Sequence, residues 1–220
     1  LVYLSNQSHY SYLEQELIAV VLIVATIFML TYRVFRNQIK GTLEKVSYTL
    51  LGIIYVSVFF SQIINLYFLG AVFPLILQVL VWVSDTSAGI VGVTIGRKFF
   101  KNGFTEISPK KSVEGALGSI VFTGLAFMLI VILYVERVNG TTTGEVILSF
   151  IIGAIISIVA QIGDLIESLF KRECGVKDSG TILMGHGGIL DRFDSMILVL
   201  PFVTMVLYFF HLYISYQYRI

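Results

Sequence analysis

Residues 46–84 have the sequence VSYTLLGIIYVSVFFSQIINLYFLGAVFPLILQVLVWVS, and no charged side chain interrupts them. A helix needs about 20 mostly apolar residues to cross a bilayer, so this stretch is long enough for two crossings. The segment from Asn65 to Gly70 provides a break between them, which predicts spans of about 46–64 and 71–96. Backbone groups in lipid must hydrogen-bond internally, and both spans are therefore expected to be helices.

Four further apolar runs can cross a bilayer, at about 17–32, 115–135, 146–166 and 196–216. Only 13% of the 220 residues are charged, about half of the roughly 25% that is typical of a soluble domain. We therefore predict an all-α polytopic membrane protein with about six transmembrane helices, forming a single transmembrane domain over residues 1–220. No initiator methionine precedes Leu1, so we expect that an N-terminal piece is missing, and residues 1–16 do not resemble a signal peptide.

The basic residues indicate the orientation of the chain. Of the 15 lysines and arginines, 13 fall in the segments 33–45, 97–112 and 167–195, which six crossings place on one side. The positive-inside rule makes that side cytoplasmic and the N-terminus external. The net charge of only +1 does not suggest binding to nucleic acid, and the single cysteine, Cys174, excludes a disulfide within the chain.

Charge is concentrated in residues 164–194, which contain six of the 14 acidic residues and four basic ones. Asp164, Glu167, Ser168 and Lys171 follow the spacing i, i+3, i+4 and i+7, which places them on one face of a helix. Asp164 lies at the end of the fifth span, where an ionised group needs a partner or a metal.

Asp191 and Asp194 repeat the i, i+3 spacing where the sixth span begins. Carboxylates from two helix ends suit Mg²⁺, which takes a few oxygen ligands and leaves positions for water and phosphate. Cations in the same segment, at Lys171, Arg172, Lys177 and Arg192, add the counter-charges that a phosphate site requires. The alternative is a charged loop with helix-end ion pairs, which would account for about half of these residues.

Two other features are less specific. Asp85 interrupts an apolar span, where a carboxylate is a functional candidate, the alternative being an aspartate bonded to a neighbouring hydroxyl. His186 lies among Gly185, Gly187 and Gly188, which permit close approach of a bulky anion. A phosphate contact and a loop-capping role are equally compatible with this histidine.

Three consecutive blocks carry a resemblance to a known family. They are Ser168-Leu-Phe-Lys171-Arg172, Lys177-Asp178-Ser179-Gly180 and His186-Gly-Gly-Ile-Leu-Asp191-Arg192-Phe-Asp194. Together they resemble the motif of the phosphatidate cytidylyltransferases, or CDP-diacylglycerol synthases, and Asp85-Thr86 and the block 108–115 extend the similarity to roughly residues 80–200. Met184 and Ser87 depart from the family pattern, which concerns loop shape and removes no charged group.

The resemblance implies a reaction of CTP with phosphatidic acid that gives CDP-diacylglycerol and pyrophosphate, with Mg²⁺ and in a homodimer; a second cation is left open. It implies catalytic roles for Asp164, Asp191, Lys171, Arg172, Lys177 and Asp178, and metal binding by Asp164, Asp191, Asp194 and Asp178. It implies substrate binding by Ser108, Lys110, Lys111, Ser168, Ser179, His186, Arg192 and Asp85. The short chain favours the bacterial cytoplasmic membrane, with the active site on its cytoplasmic side.

Other functions remain open at this stage. One is a CTP-dependent enzyme that acts on another lipid phosphate or on a polyprenol. Another is an ion-coupled transporter, in which Asp85 and Asp164 would carry the ion near the middle of the membrane. The transporter hypothesis predicts no pyrophosphate release and leaves the cation cluster unexplained.

Overall fold

The computed structural model describes residues 2–100, 103–135, 142–182 and 187–218. The helices of this part of the chain are α1 (Val2–Phe35), α2 (Thr42–Gly52), a π-helical segment (Ile53–Val58), α3 (Phe59–Leu69), α4 (Val72–Thr94), α5 (Val113–Val135), α6 (Thr143–Glu173) and α7 (Leu190–Tyr218). The chain forms two compact units, Leu1–Ala71 and Val72–Ile220, which are described separately. A single transmembrane domain stays a prediction.

Six helical stretches in the described part of the chain are long and apolar enough to cross a membrane. They are Leu17–Phe35, Thr42–Leu69, Val72–Thr94, Val113–Tyr134, Thr143–Glu173 and Leu190–His211. The predicted all-α fold with six spans is confirmed, and the predicted break near Gly70 is where α3 gives way to α4.

The predicted loop 167–195 is shorter in the structure, because α6 continues to Glu173 and α7 already begins at Leu190. Charged residues do not stop α6, since Lys171 and Arg172 in its last turn interact favourably with the helix dipole. The helix ends where Gly175 takes a positive φ of 67°, a conformation that only glycine adopts readily. At the other end, Thr142 and Glu145 form a capping box that starts the helix.

In the first unit, Arg33 organises the turn from α1 to α2. Its guanidinium donates hydrogen bonds to the Thr42 hydroxyl (2.9 Å), the Gln38 side-chain oxygen (3.1 Å) and the Lys40 carbonyl (2.8 Å). Although it is charged, this side chain is buried, and the three acceptors satisfy donors that would otherwise be costly to desolvate.

In the second unit, α5 packs against both α4 and α6, and α6 also packs against α7. Small residues allow this close approach. A Cβ atom on Gly115 of α5 would lie 2.7 Å from the Ala88 carbonyl oxygen of α4, and one on Gly153 of α6 would lie 2.8 Å from the Thr123 carbonyl oxygen of α5. Close backbone contact of this kind drives helix association in lipid, where burial of apolar surface contributes little.

A buried polar cluster connects α4, α5 and α6. The hydroxyls of Ser84 and Ser157 are 2.9 Å apart, Ser157 donates to the Ser119 hydroxyl at 3.2 Å, and the Gln161 amide donates to the same oxygen at 2.8 Å. The three serines are fully buried. Hydrogen bonds between membrane helices contribute about 0.6 kcal/mol on average, so the cluster fixes the relative positions of three helices more than it raises their stability.

Candidate active site

The two helices that carry most of the predicted site approach each other at Gly163 of α6. A Cβ atom there would lie 2.9 Å from the Asp194 carbonyl oxygen and 3.0 Å from that of Ser195, both on α7. Only a glycine permits this contact. Because the helices meet here, Lys171, at the end of the charged stripe that begins at Asp164, reaches the first turn of α7.

Lys171 connects the two helices by charge. Its ammonium forms an ion pair with Glu167, one turn earlier on α6, and a second with Asp191 Oδ1 at 2.8 Å. Glu167 is only 1% exposed. Between two carboxylates, the lysine is held at a fixed position near the N-terminus of α7, and the aspartate and lysine that the motif predicts as catalytic are in direct contact.

The other oxygen of Asp191 holds the loop between α6 and α7. Asp191 Oδ2 accepts hydrogen bonds from the Ser179 N–H (2.8 Å), the Ser179 hydroxyl (2.8 Å) and the Gly188 N–H (2.7 Å). Gly187 has a φ of 81°, and a Cβ there would lie 2.7 Å from Asp191 Oδ2. Gly187 and Gly188 therefore allow the backbone after His186 to approach the Asp191 carboxylate closely. His186 itself lies outside the described residues.

Asp164 contacts a cation from a different segment. Its carboxylate forms an ion pair with Lys111 and accepts a longer hydrogen bond of 3.4 Å from Ser168. Lys111 lies two residues before α5. Its carbonyl accepts from the Phe104 N–H at 2.8 Å, and its own N–H donates to the Ser108 carbonyl at 3.1 Å. Lys111, the last residue of the predicted Ser108–Lys111 block, therefore lies against the side of α6, at Asp164.

Asp85 of α4 and Asp194 of α7 lie on the same side of the unit as Asp164. Asp85 is within electrostatic range of Asp164, Asp194 and Lys111, and it lies beside the hydroxyl of Ser195. Its side chain is exposed, although it is about 14 Å along α4 from the helix end at Thr94. A carboxylate at that depth requires contact with water, a cation, a hydroxyl or a substrate, and the functional role of Asp85 stays a prediction.

The remaining predicted residues are less constrained. Arg172, Lys177, Asp178, Arg192 and Lys110 are exposed around the same loops. Asp178 makes no hydrogen bond or ion pair with another described residue, and its predicted role as a metal ligand stays a prediction.

Glu167 belongs to the charged stripe of α6, but its sequence position predicted no role for it. Its partner, Lys171, lies one turn away on the same helix, and the i, i+4 spacing of opposite charges was the available signal. Glu114 was noted only as part of the 108–115 block. Its Oε1 accepts from the N–H groups of both Phe99 and Phe100 at 2.9 Å, a contact that no local pattern indicates.

The donor set permits a specific test of the expected Mg²⁺. No group of three or more His, Cys, Asp or Glu side chains that could enclose a metal occurs among the residues described here. The described carboxylates therefore do not enclose a metal by themselves. Mg²⁺ usually binds one or two carboxylates together with water and substrate phosphates. Asp164 and Asp194, which interact electrostatically, fit that arrangement.

The fold and site define a class: a polytopic helical membrane protein whose neighbouring helix ends bring carboxylates and lysines together. The whole of residues 1–210 matches the model of the cytidylyltransferase family. The chain is 35% identical over 208 residues to the phosphatidate cytidylyltransferase of Bacillus subtilis (strain 168), covering 92% of this chain and 74% of that protein. It is 37% identical over 186 residues to the enzyme of that name from Staphylococcus saprophyticus, covering 84% and 68%.

The chain therefore belongs to the cytidylyltransferase family, and the resemblance seen in the motif is confirmed. Membership also disfavours the transporter hypothesis, since relatives that match most of the chain are named as enzymes.

Proposed function

We propose that this protein is an integral membrane nucleotidyltransferase that makes CDP-diacylglycerol and pyrophosphate from CTP and phosphatidic acid. The observation that carries the proposal is the pair of lysine–carboxylate contacts, Lys111 with Asp164 and Lys171 with Asp191. They bring a cation of the α4–α5 loop and a cation from the last turn of α6 against carboxylates of α6 and α7, in a chain whose relatives are named for this reaction.

The chemistry is the attack of one anion on another. An oxygen of the lipid phosphate forms a bond to the α-phosphorus of CTP, and the bond from that phosphorus to the bridging oxygen breaks, leaving its electron pair on pyrophosphate. The lipid phosphate is already ionised, so no strong general base is needed. The obstacle is electrostatic, and fixed cations in a site of low dielectric constant lower it.

Lys111 and Lys171 would bind the substrate phosphates, and their ion pairs with carboxylates, which hold both ammonium groups at the site, support this role. Ser168 and Ser179 provide hydroxyls beside the same carboxylates. The exposed cations Arg172, Lys177 and Arg192 would bind the outer phosphates of the nucleotide, where Arg forms bidentate contacts and Lys acts as a point charge.

Asp164 and Asp194 would hold Mg²⁺. Asp191 was predicted with Asp164 as a main ligand, but both of its carboxylate oxygens already accept hydrogen bonds from this chain. Asp178 stays a further predicted ligand. When bound, the metal ion supplies a positive charge that polarises the phosphoryl group and stabilises the departing pyrophosphate. Asp85 would keep the site hydrated at the level of the lipid acyl chains.

Placement in the membrane serves the two substrates. Each CH₂ of a lipid tail contributes about 0.8 kcal/mol to staying in the bilayer, so the lipid cannot be lifted out to meet the nucleotide in water. A site at the water–lipid boundary serves both substrates. We propose the cytoplasmic boundary, because 13 of the 15 basic residues occur in segments on that side, and a homodimer as the working assembly.

The test is pyrophosphate release by the purified protein, with CTP, Mg²⁺ and phosphatidic acid present together and with each omitted in turn. Release should require all three. Asp164→Asn and Asp191→Asn should each reduce turnover by about 100-fold or more. The exposed Glu44 of α2 provides a control, since it belongs to none of the segments that carry predicted site residues, and Glu44→Gln should retain the wild-type rate. Release without the lipid, or full activity of Asp164→Asn, would exclude this function.

A further inference from the structure

The loop between α4 and α5 carries two exposed aromatic side chains. Phe99 is 77% and Phe100 is 49% exposed, only a few residues beyond the end of α4 at Thr94. They are consecutive and point out of a segment that otherwise consists largely of polar and charged residues.

The backbone of this pair is fixed. The Phe99 and Phe100 N–H groups both donate to Oε1 of Glu114, which is 6% exposed and belongs to the first turn of α5. Arg97 adopts a positive φ of 64° and donates to the Pro109 carbonyl at 2.6 Å. The loop is thereby hydrogen-bonded to Glu114 and to Pro109. The two rings are therefore attached to a backbone whose position is fixed.

The position of the loop in the membrane and its charge indicate which environment the two phenylalanine rings contact. α4 and α5 both have the length and hydropathy of membrane spans, so the loop that joins their ends lies at the boundary between lipid and water. Arg97 and Lys98, both exposed, directly precede the aromatic rings. Aromatic rings next to lysine and arginine are typical of segments that lie in the headgroup layer and prefer anionic lipid.

We propose that residues 97–100, the Phe99 loop, anchor the site end of the protein in an anionic lipid headgroup layer. Phe99 and Phe100 insert at the boundary of the acyl chains, and Arg97 and Lys98 bind the phosphates of surrounding lipids. Because Glu114 ties this loop to the same segment that places Lys111 at Asp164, the anchor sets the height of the site relative to the membrane surface. The inference goes beyond the proposed reaction and does not depend on it.

The depth of the loop can be measured in bilayers without any substrate. Trp82 is the single tryptophan, so a Trp82→Phe, Phe99→Trp variant carries one reporter in the loop. We expect its fluorescence to be quenched most by lipids brominated near the carbonyl end of the acyl chain, and little by iodide in the water. Wild-type Trp82, about 18 Å further along α4 from Thr94, is the deep reference. Strong iodide quenching with no effect of brominated lipid would overturn the proposal, and Phe100→Trp gives a second reporter if Phe99→Trp folds poorly.

The charge preference needs a separate measurement. Energy transfer from the loop tryptophan to dansyl-labelled lipid should be greater for an anionic than for a zwitterionic lipid. The local concentration of anionic lipid beside the loop should rise about fivefold for each basic side chain. Lys98→Gln should reduce the enrichment and Lys98→Arg should retain it. Equal transfer to both lipids, or competition by millimolar inorganic phosphate, would overturn the assignment to lipid headgroups.

Discussion

Lys171 shows how one residue at this site serves both folding and chemistry. Its ammonium contacts Glu167 and Asp191, which belong to different helices. Glu167 is buried, and without the lysine it would be an uncompensated charge beside a second carboxylate. Removing one member of a buried ion pair is far more damaging than replacing both members.

Lys171→Met should therefore destabilise the protein by about 3–5 kcal/mol, measured as the shift in SDS-induced unfolding followed by circular dichroism in micelles. Glu167→Gln should cost less, because Lys171 retains Asp191. The double variant Glu167→Gln, Lys171→Met should be more stable than Lys171→Met alone, although catalytically impaired. If the double variant is as unstable as Lys171→Met, the buried charge is not the cause.

At the scale of the helices, the site depends on how closely α6 and α7 approach. Gly163 lies one residue before Asp164, and its Cα faces backbone oxygens of Asp194 and Ser195. The backbone cannot move aside as a flexible side chain can. Any added atom must therefore separate the two helices that carry the charges.

Gly163→Ala should cost about 1–3 kcal/mol of stability and should reduce turnover by a larger factor than it reduces the folded fraction. The physical reason is that the distance between Lys171 and Asp191 increases when the helices separate. Gly89→Ala in α4 is the matched control, because nothing lies within 4 Å of an added Cβ there. Equal activities of the two variants, measured by pyrophosphate release, would show that α6–α7 spacing does not control the site.

At the scale of the whole molecule, α6 is long enough to connect the two sides of the membrane. From Gly144 to Glu173 it extends about 44 Å, more than the roughly 30 Å of the hydrocarbon core. Its N-terminal end and its C-terminal end must then lie on opposite sides. Cys174, which is exposed directly after α6, is the single cysteine of the chain.

A membrane-impermeant maleimide should therefore leave Cys174 unlabelled in intact cells and label it once the membrane is opened. With Gly144→Cys in a Cys174→Ser background, labelling should occur in intact cells. The opposite pattern in this pair of proteins would reverse the orientation derived from the basic residues.

The six spans and the charged stripe on α6 follow from the sequence because hydrophobic runs and helical spacing are local properties. The helical spacing and the motif together predicted one site for Asp164, Lys171 and Asp191, and Lys171 contacts Asp191 in the structure. The helix ends were less predictable: α6 continues through Lys171 to Glu173, because charged residues are compatible with a helix that leaves the membrane.

Tertiary structure alone decided which charges pair between segments distant in sequence, whereas the Glu167–Lys171 pair follows from its i, i+4 spacing. Lys111 contacts Asp164, which is 53 positions later in the sequence. Glu114 accepts hydrogen bonds from residues 99 and 100, which lie 15 and 14 positions before it. Such contacts depend on the distance between helices, which glycines such as Gly163 set by direct backbone contact. A linear pattern specifies which face a residue occupies, whereas its partner is specified only when two helices are brought together.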